Sequence, residues 1–246
     1  MISTPTALID AVRKSLERQA DPKKAGPMQA YMKSTMPFYG IQAPGLRQLC
    51  DPLFADHTLT TAAAWRQTIA GLWDTATRRE QRYAALELAA YQPYQRFVSM
   101  ALVPLYRRLI QDGAWWDTVD SLAHRVAVLL ATYPAPLKRT LRAWAKQDSI
   151  WLRRVAIIAQ VGAGEATDVE LLYDCIRPSL DSKEFFLRKA IGWALREYAK
   201  ANPAEVRTFL TGHRQQLSPL SMREAEKGIG FGKRRAPVRR TKKGVT

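Results

Sequence analysis

The sequence predicts an all-α fold, built as a curved α-solenoid of HEAT-like helix pairs, and three patterns support this prediction. Apolar residues recur at helical spacing along nearly all of the 246 residues, and alternation typical of strands is hard to find. Prolines fall between the helical runs or at their starts, where they do not break a helix. Arginine-rich amphipathic helices recur every ~35–40 residues, a period typical of HEAT-like repeats.

The predicted helices follow one another with short connections over most of the chain. In order, they span residues 6–20, 28–35, 44–55, 60–73, 77–91, 94–112, 115–131, 134–147, 149–161, 165–177, 183–201, 203–212 and 218–227. Prolines punctuate the series at Pro22, Pro44, Pro93, Pro134, Pro178 and Pro203. Repeats of this kind curve and line a concave surface with one helix of each pair. We therefore expect a single repeat domain over residues 1–227.

The charge of the chain indicates its class of partner. Thirty-eight lysines and arginines stand against 22 acidic residues, which gives a net charge of +16. Such an excess is typical of proteins that bind a polyanion, most often nucleic acid. A membrane surface is the rival partner, but no apolar run reaches the ~18–20 residues that a spanning helix requires. We expect a basic concave groove that holds duplex DNA, with no membrane contact.

The C-terminal residues 228–246 differ in composition from the rest. They contain seven cations and no acidic residue, among them Lys233, Arg234 and Arg235. This composition predicts a disordered basic tail that strengthens DNA binding without sequence preference. A tail that merely increases solubility is the alternative.

Cysteine and histidine spacing argues against a metal or disulfide framework. Cys50 and Cys175 lie far apart and form no CxxC pair, and the three histidines lack ligand spacing. We expect no metal and no cofactor. The N-terminus lacks the layout of a signal peptide, so a cytosolic location is expected.

The most informative segment is Trp115-Trp116-Asp117-Thr118-Val119-Asp120. On a helix, Trp116 and Asp120 lie one turn apart on one face. A separate stripe on the same helix would face a core, and it consists of Val119, Leu122, Val126 and Leu129. A carboxylate beside an electron-rich ring is suited to stabilising a cation held at an anion-binding surface.

Two later segments also combine aromatic and cationic residues. In residues 184–198, Trp193 is offset from an apolar stripe and lies on the face that carries Lys189, an arrangement typical of contact with a base or sugar. In residues 150–156, Arg154 lies at the edge of a packed face. Earlier in the chain, Tyr31-Met32-Lys33 precedes a Pro-Phe-Tyr-Gly-Ile sequence.

Together these segments resemble the AlkD-like family of DNA alkylation repair glycosylases, which are built from HEAT-like repeats. The resemblance runs from about Tyr31 to Glu224 and rests on the phrases FYGIQAP, WWDTVD, IWLRR, EFFLRKAIGWALREYAK and PLSMREA. It implies hydrolysis of the N-glycosidic bond of cationic alkylpurines, such as 3-methyladenine and 7-methylguanine, in duplex DNA. It also implies a bacterial protein that acts as a monomer.

The resemblance assigns roles to particular residues. Asp120 matches the catalytic acid, and Trp116 and Trp193 match the two active-site tryptophans. Arg154 matches a phosphate-binding and supporting arginine, and Tyr31 matches a tyrosine that lines the DNA cleft. No lysine stands on the Trp116–Asp120 face, which favours a monofunctional glycosylase without lyase action.

Structural alternatives stand beside these assignments. The two tryptophans would then belong to the core, Asp120 would be a helix-start acid, Arg154 part of a solvated face and Tyr31 a packing residue. Asp117 is the better candidate for the helix-start acid. At the level of function, the alternatives are a non-enzymatic HEAT-like protein that binds damaged or branched DNA and a HEAT-like scaffold that binds an acidic protein.

Overall fold

The computed structural model describes residues 3–232, which are all-α and contain no β-strand. The helices are α1 (Pro5–Arg18), α2 (Pro22–Met32), α3 (Ala43–Asp56), α4 (Ala62–Asp74), α5 (Arg79–Ala90), α6 (Val103–Gly113), α7 (Trp116–Thr132), α8 (Pro134–Trp144), α9 (Ile150–Ile158), α10 (Val169–Ile176), α11 (Phe185–Ala199), α12 (Pro203–Gly212) and α13 (Pro219–Gly232). The all-α prediction is confirmed.

Two predicted elements differ most from the structure. The helix predicted at 28–35 begins instead at Pro22, because the Asp21 side chain caps it by accepting a hydrogen bond from the Lys23 N–H. It ends at Met32, where Lys33 adopts a left-handed conformation with φ of 49°. The helix predicted at 94–112 is replaced over its first part by two 3₁₀ segments, Gln92–Phe97 and Met100–Leu102, and α6 begins only at Val103.

The chain divides into two compact units, residues 1–137 and 138–246. In the first unit, α1 packs against α3, α4 and α5, while α7 packs against α5 and α6. In the second unit, α11 packs against α9, α12 and, most extensively, α13. The prediction of one repeat domain over residues 1–227 stays a prediction.

The predicted core stripes are confirmed within each unit. On α7 the buried residues include Val119, Leu122, Val126 and Leu129. On α11 they include Leu187, Ala190, Ile191, Ala194, Leu195 and Tyr198. Burial of these side chains is the main term that holds the helices together, at about 1.5–3 kcal/mol for each large apolar side chain.

A buried carboxylate fixes the loop between α2 and α3. Glu80 of α5 is fully buried and accepts hydrogen bonds from the backbone N–H groups of Tyr39, Gly40 and Ile41, at 2.8, 2.8 and 3.0 Å. Gly40 has φ of 93°, and a Cβ there would lie 2.2 Å from the carbonyl oxygen of Asp21. The FYGIQAP phrase is therefore a structural loop that requires glycine at its centre.

The helices α11 and α13 approach each other through glycines. A Cβ at Gly192 would lie 2.6 Å from Cβ of Glu224, and one at Gly228 would lie 2.2 Å from the carbonyl oxygen of Arg196. Because α13 continues to Gly232, its last five residues are helical where a disordered tail was predicted from residue 228. The remainder of that predicted tail, residues 233–246, lies outside the described residues.

The glycine contact gives a testable prediction. We expect Gly228→Ala to lower the free energy of unfolding by about 2–3 kcal/mol, because α11 and α13 must separate to admit the methyl group. Gly230→Ala is the matched control, since nothing lies within 4 Å of its Cβ position. Alanine there removes a helical glycine and should leave stability equal or higher by up to ~1 kcal/mol. Equal urea denaturation curves for the two variants would contradict the close approach.

Candidate functional site

The helix α7 presents Trp116 and Asp120 beside its packed face. Trp116 is its first residue, and Asp120 follows one turn later. Both residues are partly exposed, whereas Thr118, Val119 and Leu122 on the core side are buried. The pair therefore lies where the helical period predicts it. Trp116 is not a core tryptophan of the kind that Trp65 and Trp73 represent, since those two are fully buried.

The neighbouring acid, Asp117, has a structural role. Arg79 of α5 donates to it through Nε and Nη2, at 2.9 and 2.6 Å, and the hydroxyl of Tyr83 donates at 2.5 Å. The N–H of Thr118 also donates to Oδ1, at 2.8 Å. Because its oxygens are already engaged, Asp117 is not suited to act on a substrate, and the expectation that it is the helix-start acid is confirmed.

Burial and charge together set the ionisation of this cluster. Burial alone would lower the pKa of Arg79, but hydrogen bonding to Asp117 and its negative charge outweigh burial and raise that pKa above its ordinary value. Burial, followed by the charge of Asp117, raises the pKa of the Tyr83 hydroxyl. Arg79 is therefore charged and Tyr83 is a neutral donor at physiological pH.

An open cavity of about 340 Å³ lies against the start of α7, within the first unit. Its wall is formed by residues 32–36, which run from the last residue of α2 into the loop after it, and by Arg79, Arg82, Asp112, Gly113 and Trp115. Tyr31, immediately before this wall, is 76% exposed. The alternative in which Tyr31 packs against the next helix is therefore wrong, and its ring is available to a partner.

In the second unit, α11 carries Trp193 and Lys189 outside its buried stripe. Trp193 is partly exposed. The Lys189 ammonium lies 3.3 Å from Oε1 of Glu224, and 40% of the lysine side chain is exposed. Glu224 is also paired with Arg196 and Lys227, at 2.8 Å each. Hydrogen bonding to Lys227, and then to Lys189, holds the pKa of Glu224 below its usual value, so a charged carboxylate lies beside the Lys189 ammonium.

Arg154 is buried, so the alternative in which it belongs to a solvated charged face is wrong. Only 5% of the residue is exposed, and its Nη1 donates to the carbonyl oxygen of Phe186 at 2.8 Å. Its guanidinium lies 5.9 Å from the centre of the Phe186 ring, and Trp151 contacts the same ring with centroids 4.9 Å apart. Arg154 therefore supports the start of α11 from α9.

Sequence reasoning did not identify Arg79 and Tyr83, and it gave no role to Phe185, which is 58% exposed at the start of α11. The predicted tail contacts Lys233, Arg234 and Arg235 lie outside the described residues. The thiols of Cys50 and Cys175 are buried, and burial raises the pKa of each to about 12. Neither thiol is therefore suited to act as a nucleophile.

Residues 3–232 contain neither a cluster of metal-ligating side chains nor a membrane-spanning helix. No group of three or more histidine, cysteine or acidic side chains in this part of the chain could hold a metal ion. None of its helices is long and apolar enough to cross a membrane.

Comparisons with known proteins identify relatives of the chain. Residues 12–229 match the sequence profile of the family described as DNA alkylation repair enzyme. A solved structure described as a predicted DNA alkylation repair enzyme from Enterococcus faecalis is 35% identical, with a TM-score of 0.76. The alignment covers 85% of this chain and 96% of the other. A search of curated proteins gave no match.

Proposed function

The chain belongs to the DNA alkylation repair enzyme family, and we propose that it is a monofunctional DNA glycosylase that removes cationic alkylpurines from duplex DNA. The observation that carries this proposal is the pair Trp116 and Asp120. The two residues lie one turn apart and partly exposed, while Asp117 is engaged by Arg79 and Tyr83. A partly exposed carboxylate beside an indole, on a strongly basic chain, fits a reaction that develops positive charge next to a DNA backbone.

The chemistry requires one carboxylate only. A purine alkylated at N3 or N7 carries a positive charge, so it leaves as a neutral base and needs no proton from an acid. As the bond breaks, the charge moves to the sugar as an oxocarbenium ion. Asp120 would stabilise that cation more strongly in the transition state than in the ground state, and it would position the attacking water.

Aromatic faces would stabilise the alkylated base and the sugar cation while the N-glycosidic bond breaks. Trp116 and Trp193 each present a partly exposed indole, the side chain with the strongest attraction for a cation above its face. Arg154 supports the start of the helix that carries Trp193, and its role as a phosphate contact stays a prediction. Lys189 and Tyr31 are proposed contacts to the DNA. We further propose that 3-methyladenine and 7-methylguanine are substrates, and that the protein acts as a monomer.

The proposal is tested by identifying the bases that the protein releases. Methylated duplex DNA is incubated with excess protein, and the free bases are identified by mass spectrometry beside a protein-free control for spontaneous loss. We expect 3-methyladenine and 7-methylguanine to accumulate faster with protein. Tight binding to the methylated duplex without release of either base would instead favour the non-enzymatic DNA-binding alternative.

Replacement of Trp193 should slow excision without unfolding the protein. A cation above an aromatic face gains about 0.5–2 kcal/mol, so we expect Trp193→Ala to reduce the single-turnover rate constant by about tenfold. Trp193→Phe keeps an aromatic face and should retain most of the rate. The measurement is base release at saturating protein, with thermal unfolding of each variant. An alanine variant that unfolds would indicate that Trp193 serves mainly in packing.

A further inference from the structure

We infer that Arg79 and Tyr83 are positioning residues that set the orientation of Trp116 and Asp120 through Asp117. This inference rests on the proposed function, because it concerns the geometry of the same pair. None of the three residues is assigned to touch the DNA. Their role would be to fix the start of α7, whose first residue is Trp116 and whose second turn begins with Asp120.

The contacts at the start of α7 are directional. The side chains of Arg79 and Asp117 are 7% and 8% exposed, and they meet through two parallel hydrogen bonds. This fork geometry fixes the relative orientation of the two groups, which a lysine or an apolar contact would not do. The Tyr83 hydroxyl adds a third donor to the carboxylate. Asp117 therefore ties the helix start to α5 at a defined rotation.

A second set of contacts fixes the end of α6, just before the connection to α7. Arg82 of α5 lies 3.1 Å from Oδ2 of Asp112 and 4.7 Å from the centre of the Trp73 ring. The Trp73 indole donates to the same carboxylate oxygen at 2.5 Å. Between the two ends, a Cβ at Gly113 would lie 2.7 Å from the Thr118 hydroxyl. The connection from α6 to α7 is thus held by α5 on both sides.

The left-handed conformation of Ala114 also indicates that the connection from α6 to α7 is held firmly. Its φ of 37° is unusual for a residue other than glycine, and such conformations persist where the surrounding structure enforces them. The turn is only two residues long, Ala114 and Trp115. The short connection therefore allows little movement of the start of α7 relative to the end of α6.

The geometry makes catalysis sensitive to this anchoring. Side chains lie about 5–6 Å from a helix axis, so a rotation of α7 by ~10° moves the Asp120 carboxylate by about 1 Å. A misplacement of 1 Å can reduce a rate by about 10²-fold. A buried ion pair, by contrast, is weak evidence for stability, because an apolar pair of similar size is often as stable. This difference separates a positioning role from a structural one.

The test replaces the buried pair without leaving an unpaired charge. The double variant Arg79→Met/Asp117→Leu removes both charges, and Tyr83→Phe removes only the hydroxyl. The matched control is Arg108→Met/Asp74→Leu, since Arg108 and Asp74 also form a two-bond pair between helices, at 2.6 and 3.2 Å, but are about half exposed. For each protein we would measure the melting temperature, the Kd for methylated duplex and the single-turnover rate constant for base release.

We expect the Arg79/Asp117 double variant to keep its melting temperature within about 5 °C and its Kd within about threefold, while its rate constant falls about 10²-fold. Tyr83→Phe should lose about three- to tenfold, and the control pair should lose nothing. Wild-type rates in both the double variant and Tyr83→Phe would overturn the inference. If the double variant fails to fold, an unchanged rate in Tyr83→Phe alone would overturn it.

A spectroscopic readout separates this inference from the proposed function. With 5-fluorotryptophan incorporated, the ¹⁹F resonance of Trp116 is assigned by its loss in Trp116→Phe. We expect that resonance to shift or broaden in the Arg79/Asp117 variant and to stay in place in the Arg108/Asp74 control. If wild-type protein releases no base, the proposed function fails, yet the resonance still reports the anchoring. An unmoved Trp116 signal would contradict the inference in either case.

Discussion

Asp120→Asn is expected to reduce the single-turnover release of 7-methylguanine by about 10³-fold and to leave DNA affinity nearly unchanged. The substitution keeps the size of the side chain but removes the negative charge that would face the developing oxocarbenium ion. Loss of one aligned hydrogen-bond donor in an active site reduces a rate by about 10²–10³-fold, and loss of a full charge should reach the upper end of that range. Because Asp120 is partly exposed, the fold should tolerate the amide.

The control for this variant is Asp10→Asn. Asp10 lies on α1 with its side chain 52% exposed, 3.8 Å from Arg13, and the substitution makes the same change in net charge. It should leave both excision and stability unchanged. A slow rate in both variants would attribute the effect to overall charge, whereas an unchanged rate in Asp120→Asn would remove the catalytic assignment.

Glu80→Ala is expected to lower the free energy of unfolding by about 4 kcal/mol, because it removes the carboxylate of α5 that holds the α2–α3 loop. Three buried backbone N–H groups would lose their acceptor, and each unsatisfied donor is unfavourable by about 1–3 kcal/mol. Part of this is recovered because the loop relaxes and admits water. Glu80→Gln should lose about half as much, since its carbonyl oxygen can still accept from Gly40 and Ile41.

The matched control for Glu80 lies on the same helix. Glu87 accepts from Nε of Arg47 at 3.3 Å in an exposed pair, so Glu87→Ala should change the free energy of unfolding by less than ~1 kcal/mol. Urea denaturation measures both variants, with equal m values as the condition for comparing them. Equal losses for Glu80→Ala and Glu87→Ala would show that the loop does not depend on the buried carboxylate.

Helical periodicity accounts for most of what the sequence predicts correctly. The stripe that begins at Val119 and the stripe of α11 are buried as expected, because the 3.6-residue period assigns faces without knowledge of the partner helices. The same period misassigned residues 94–102, because short 3₁₀ segments keep apolar residues three to four apart and cannot be distinguished from an α-helix by spacing. The early start of α2 was signalled by Asp21-Pro22, a capping residue followed by proline.

Long-range partners could not be predicted from one sequence. The spacing placed Trp116 and Asp120 on one face of a helix. The structural role of Asp117 follows only from its hydrogen bonds with Arg79 and Tyr83, which lie more than 30 residues away in the chain. The sequence placed Arg154 at the edge of a packed face. It could not predict the acceptor of Arg154, because that acceptor is a backbone carbonyl of another helix and every residue type has one.

The most direct test of catalysis by Asp120 compares wild type and Asp120→Asn on a duplex with one 7-methylguanine at saturating protein. The bound fraction and the released base are recorded on the same samples. If Asp120 is the catalytic acid, both proteins will bind the duplex equally and wild type alone will release the base well above the spontaneous rate. Equal release by both proteins, or none by fully bound wild type, would contradict this assignment.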